Sequence, residues 1–121
     1  MKRLLTLMAA IEAATGVALL AAPARAVQLL LGAEISGAAI PLGRIAGAGL
    51  LSLGVACWAA RDDGSSRGFL AAASLYNIAA VLILAPAGLQ FPTAGLLLWF
   101  AVVLHAAMTV WCLALVLRKP A

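Results

Sequence analysis

Four apolar runs, Leu4–Ala22, Ile40–Ala60, Phe69–Ala85 and Ala94–Leu117, set the terms on which this chain can fold. They are 19, 21, 17 and 24 residues long, close to the ~20 residues that carry an α-helix across a ~30 Å hydrocarbon layer. None shows the strict alternation of a strand. A helix also satisfies its own backbone hydrogen bonds where no water can do so. The composition points the same way: 66% of the 121 residues are hydrophobic and 10% are charged, against about 25% charged in an ordinary soluble domain. A chain this short could not hide that much apolar surface in water. This argues against a soluble enzyme, a disordered tail or a nucleic-acid reader, and makes the lipid bilayer the expected solvent. The expected fold is an all-α integral membrane four-helix bundle, one domain spanning residues 1–121.

The breaks between runs have their own chemistry. Pro23 ends the first run, and Arg61-Asp62-Asp63-Gly64-Ser65-Ser66-Arg67 reads as a short polar turn. Pro86, Gly88 and Pro92 mark the third connection. Pro23 to Gly32 reads as a short helix, with Pro at its start and Gly at its end. Val27, Leu30 and Leu31 share one side of it against Arg25 and Gln28, which predicts a helix lying in the membrane interface.

The net charge of +4 is a topology signal rather than a partner signal, because the positives sit at the edges of the runs and form no basic stripe. Lys2, Arg3, Arg61, Arg67, Arg118 and Lys119 fall on one side, Arg25 and Arg44 on the other. Six against two predicts that both termini are cytoplasmic and that the chain crosses a bacterial inner membrane four times. Trp58 and Phe69 then mark the inner interface and Phe91 the outer. Met1–Ala26 also resembles a secretory signal, with Lys2-Arg3 ahead of an apolar stretch and Ala24-Arg25-Ala26 behind it. The stretch is long for a signal and carries Glu12, so it is read as a span, with cleavage as the alternative.

Ionisable and strongly polar groups inside the runs need an explanation. Glu12, Asn77 and His105 each fall near the middle of a different run, while Arg44 is only four residues from the outer end of the second. Side chains lean toward the N-terminus of their helix, so Arg44 leans outward and is placed to reach the outer headgroups. Glu12 has no such escape, and Asn77, Tyr76 and His105 are its candidate partners. Thr109, four residues after His105, shares that residue's face. One reading of the group is an interhelical polar clamp worth about 0.6–2 kcal/mol per contact. A second is a proton- or cation-linked transport site centred on Glu12, since a carboxyl away from water favours its protonated form. A third is haem or quinone association through His105, although a bis-His haem needs two ligands and one chain supplies one.

Cys57 and Cys112 stand alone in apolar surroundings, with no C-x-x-C and no metal-ligand spacing, and read as buried small hydrophobes. No catalytic group, metal or cofactor is expected. Gly43, Gly47 and Gly54 lie along one stripe of the second run, and Gly43-x-x-x-Gly47 is a small-x-x-x-small pattern that lets another backbone approach. Gly16, with Ala9 and Ala13, offers a matching smooth patch on the first run. Packing within the chain and pairing with a second copy are both open to it. Leu19-Leu20-Ala21-Ala22-Pro23-Ala24 faintly echoes Leu82-Ile83-Leu84-Ala85-Pro86-Ala87, as two similar hairpins would.

Pro23-Ala24-x-x-x-x-Leu29-Leu30-Leu31-Gly32, followed by Gly43-Arg44-x-x-Gly47-x-x-Leu50-Leu51-x-Leu53-Gly54, resembles small four-helix bacterial membrane proteins of the broad DoxX-like kind. The likeness covers the first half of the chain. It implies a four-helix inner-membrane protein with the arginine near the outer face. Some members of that wider group are similar to quinone-linked oxidoreductase subunits or utilisation accessory proteins, but no redox motif is present here to carry that activity over. Ala10-Ile11-Glu12-Ala13-Ala14-Thr15-Gly16 is similar to the first helix of small multidrug transporters. The third run lacks the tryptophan expected there, the Pro23–Gly32 segment is extra, and the charge bias opposes dual topology. The leading expectation is a non-enzymatic accessory or assembly subunit of the inner membrane. Its partners would be the lipid bilayer and either further copies of itself or a larger membrane complex, with no nucleic acid. A proton-linked carrier using Glu12 is the alternative, and a redox subunit is the second.

Overall fold

A computed structural model describes residues 1–62 and 67–118. The polar turn at 63–66 and Lys119 of the charge count lie outside the described residues. The chain forms five helices: α1 (Lys2–Ala21), α2 (Pro23–Leu31), α3 (Ala39–Ala60), α4 (Arg67–Gln90) and α5 (Leu96–Val116). Among the described residues α1, α3, α4 and α5 are long and apolar enough to cross a membrane. The architecture is all-α.

The short helix α2 is bounded by backbone chemistry. Pro23 takes its first turn, where a missing N–H costs nothing. Gly32 closes it in the left-handed conformation (φ 66°) and donates its N–H to the Gln28 carbonyl. A Cβ at Gly32 would also lie within bonding distance of the Thr93 carbonyl, so the α2–α3 connection and the α4–α5 connection touch at one end of the molecule. Pro23 is buried, Val27, Leu30 and Leu31 are half-buried, and Arg25, Gln28 and Leu29 are exposed.

The third long helix departs from the sequence reading. Pro86 and Gly88 are not in a connection; α4 runs through both to Gln90. Proline removes one N–H and crowds the preceding turn, but in apolar surroundings a helix tolerates it when a neighbour holds the following turn. That neighbour is the start of α5: a Cβ at Gly88 would meet Leu98 Cδ2 at 2.5 Å and the Trp99 ring at 3.0 Å. The connection is therefore residues 91–95, and α5 begins after Gly95, which has an extended backbone.

The long helices pack as two antiparallel pairs, α1 with α3 and α4 with α5, with little backbone contact between the pairs. In the first pair the backbones nearly touch. A Cβ on Gly16 would lie 2.6 Å from Leu51 N and 2.7 Å from Gly47 O. On Gly47 it would lie 2.7 Å from Gly16 O, and on Gly54 2.9 Å from Ala13 N. Gly43, one turn before Gly47, lies against Pro23 Cβ at 3.0 Å. The glycine stripe is thus occupied by α1 and the start of α2 of the same chain. Between the pairs, Leu4, Leu5, Met8, Ala9, Cys57, Leu70, Ala73, Met108 and Cys112 form one buried cluster.

Charge collects at the end that holds the N-terminus of α1 and the C-terminus of α5. Lys2 Nζ pairs with Asp62 Oδ1 at 2.7 Å and holds that carboxyl below its usual range. Arg61 Nε lies 3.4 Å from Asp62 Oδ2, and its guanidinium sits 3.5 Å over the Trp58 ring. Arg67 donates to the Arg118 carbonyl at 2.9 Å. Arg25, Glu34 and Arg44 are at the other end, all exposed.

Replacing Gly16 by Ala puts a methyl group against backbone that cannot move without parting α1 from α3. Gly16→Ala is expected to destabilise the protein by about 1–3 kcal/mol, read from denaturant unfolding in micelles followed by circular dichroism. Gly49→Ala, where a Cβ meets nothing within 4 Å, should be neutral or slightly stabilising. Equal losses at both positions would sink the close-approach account.

Candidate functional site

Helical spacing brings polar side chains from three helices to the seam between the pairs. Glu12 belongs to the buried face of α1 with Leu5, Met8 and Gly16. Asn77 belongs to that of α4 with Leu70, Ala73 and Ser74, and half-buried His105 lies close to buried Met108 and Cys112 on α5. Glu12 is 2% exposed and Asn77 0%. Steps of three and four residues put each on the stripe that packing draws inward.

Two contacts join them across helices. Asn77 Oδ1 lies 2.8 Å from His105 Nδ1, and Asn77 Nδ2 donates to the Ala73 carbonyl at 2.8 Å. The second bond fixes the first. With the amide nitrogen committed to a carbonyl, Oδ1 is an acceptor, so His105 Nδ1 carries the proton. In the neutral ring Nε2 then holds the lone pair. The other link joins the pairs: Tyr76 Oη donates to Glu12 Oε2 at 3.4 Å, a long bond. The Tyr76 and His105 rings meet edge to face, centroids 5.8 Å apart and planes at 78°. Glu12, Tyr76, His105 and Asn77 therefore form one continuous group.

Glu12 bonds to neither Asn77 nor His105, and its Oε1 is buried without a hydrogen-bond partner. A buried polar atom left unpaired is costly and calls for an explanation. Arg44 is exposed near the far end of α3 and makes no contact with Glu12. Thr109 donates to the His105 carbonyl at 2.9 Å, and Ser74 to the Leu70 carbonyl at 2.8 Å. Both bonds stay within a helix, so these hydroxyls satisfy themselves locally. Ser74, which the sequence reading passed over, also faces the Cys112 thiol. It falls four residues after Leu70 on the same stripe, a spacing that was available in the sequence.

Two shallow apolar grooves lie on the molecule. One, between α1 and α3, is lined by residues including Thr6, Ala10, Val55 and Trp58. The other, between α4 and α5, is lined by residues including Ile78, Leu82 and Val110. Neither is lined by Glu12, Tyr76, Asn77 or His105. Among the described residues no three His, Cys, Asp or Glu side chains are grouped to hold a metal ion. The group is arranged to tie helices together: Asn77 and His105 join α4 to α5, and Tyr76 and Glu12 join α4 to α1.

A double-mutant cycle on Asn77→Ala and His105→Ala should return a coupling of about 0.6–2 kcal/mol, measured by unfolding in micelles. The cycle on Tyr76→Phe and Glu12→Ala should give less, because its bond is longer. No coupling between Asn77 and His105 would remove the contact from the account.

The chain matches no protein-family model, no curated protein and no solved structure.

Proposed function

We propose that the protein is a multi-pass protein of the bacterial inner membrane, with both termini cytoplasmic, that serves as a small accessory or assembly subunit. The observation that carries this reading is how little of the chain lies outside its helices. The stretches between them are Ala22 alone and residues 32–38, 61–66 and 91–95. No stretch between these helices is large enough to make a catalytic or binding domain beyond the bilayer, which leaves the helix faces as this region's means of contact. Those faces are apolar: Val17, Ile45, Leu75, Leu82, Ile83 and Val103 are all more than half exposed, as side chains solvated by lipid tails would be.

The orientation rests on charge. Lys2, Arg3, Arg61, Arg67 and Arg118 share one end, and cationic ends are retained on the cytoplasmic side. In this frame α2 lies along the outer surface with Arg25 and Gln28 toward water, and Arg44 reaches the outer headgroups. The likeness of the first half to DoxX-like proteins fits the same placement. The polar group at the seam then works as a clamp, since its members bond across helices and line neither of the two grooves.

One observation favours a second reading, a proton-linked carrier: the unpartnered Oε1 of Glu12. A variant separates the two. Gln at position 12 keeps an oxygen to accept the Tyr76 bond but cannot exchange a proton. The clamp reading predicts that the purified protein in liposomes drives no proton-coupled solute flux, and that Glu12→Gln changes unfolding by under about 1 kcal/mol. Solute-dependent proton movement in the wild type, abolished by Glu12→Gln, would establish the carrier and overturn the subunit reading. Reporter fusions at the C-terminus test the orientation. Fluorescence of a protein that folds only in the cytoplasm is expected, and periplasmic phosphatase activity would reverse the topology.

A further inference from the structure

Two cysteines and three methionines are all the sulfur this chain has. Met8 from α1, Cys57 from α3, and Met108 and Cys112 from α5 are all buried in the cluster between the helix pairs, and Met1 packs against it. Residues spread over more than a hundred positions thus share one buried cluster, and within it the sulfurs of Met8 and Cys112 meet directly. The Cys112 thiol points at the Met8 thioether, with Sγ and Sδ 4.0 Å apart. Two sulfurs bound to one ion at ~2.3 Å, the length of a metal–thiolate bond, stand about 4 Å apart at a trigonal angle.

We infer that Met8 and Cys112, whose sulfurs meet, form with Cys57 and Met108 of the same buried cluster a binding site for a soft monovalent cation, copper(I) in chemical class. Thiolate and thioether sulfur select copper(I) over harder ions. A zinc site takes three or four ligands from Cys, His, Asp and Glu, and no such triad is present among the described residues. Thioethers complete this ligand set instead. Binding balances simply: the ion bonds to one cysteine sulfur, that thiol's proton leaves to solvent, and the net charge of the core is unchanged. The thioethers and the second cysteine donate lone pairs and release nothing. An uncompensated charge in such surroundings would be strongly opposed, so exchange of one proton for one monovalent ion suits a core this apolar.

The test uses the full chain, purified in micelles under anaerobic, reducing conditions and titrated with copper(I) against a chromogenic copper(I) chelator. One ion per chain should be withdrawn from the chelator, with an ultraviolet thiolate-to-copper band. Cys57→Ser with Cys112→Ser should abolish both signals. Met8→Leu, close in volume and without sulfur, should weaken competition while leaving helicity by circular dichroism unchanged, so the test does not depend on the doubly substituted chain folding. Silver(I) should displace copper(I), and zinc should not. Wild-type protein that takes no copper(I) from the chelator overturns the proposal. So does unchanged binding in the doubly substituted chain or in Met8→Leu.

Discussion

The architecture depends on how closely α1 and α3 approach. In apolar solvent no hydrophobic force draws two helices together, and association relies on van der Waals contact and interhelical hydrogen bonds. Close contact needs missing side chains, and Gly16, Gly47 and Gly54 supply them on facing backbones. This makes α1 and α3 a single interlocked unit. Pro23 then turns the chain into α2 one residue after α1 ends, and α2 closes on Gly32 against Thr93. The 91–95 connection joins the antiparallel neighbours α4 and α5 directly, whereas α1 and α3 are joined through α2.

The seam between the pairs is of another kind. Backbones stay apart there, and side chains fill the gap: Leu4, Leu5, Met8, Leu70 and Met108, with Glu12 and Tyr76 as the polar link. Long flexible side chains can repack where facing backbones cannot. Cross-helix chemistry gathers in this looser region because it has room for large groups. The glycine face has none, since a carboxyl or imidazole there would force the helices apart.

The four long helices were legible because runs of about 20 apolar residues have few other ways to fold. The short helix was legible too, because Pro23 and Gly32 mark its ends by backbone chemistry alone. Pro86 misled, since a local breaker signal does not register Leu98 and Trp99 packed over the following turn. At the site, the burial of Glu12 and Asn77 followed from spacing, but their partners did not. Spacing gives a residue's face and depth, not its rotation against another helix. Tyr76 rather than Asn77 therefore reaches Glu12, while Asn77 turns to His105. Cys57 and Cys112 carried no spacing signal at all, because the cluster they share and the contact of Cys112 with Met8 are created by tertiary packing across helices.

Glu12 and the sulfur cluster share the same seam, on successive turns of α1: Met8 lies one turn from Glu12 and on the same face. Any change in the separation of the pairs would act on both, loosening the Tyr76 bond and the Cys112–Met8 contact together. The Asn77–His105 contact lies within the α4–α5 pair and would be carried along unchanged. The two kinds of contact therefore have different roles. Asn77 and His105 bond within a pair, while the Tyr76–Glu12 bond and the Cys112–Met8 contact bridge the two pairs. A relative movement of the pairs would therefore alter the Tyr76–Glu12 bond and the Cys112–Met8 contact at once.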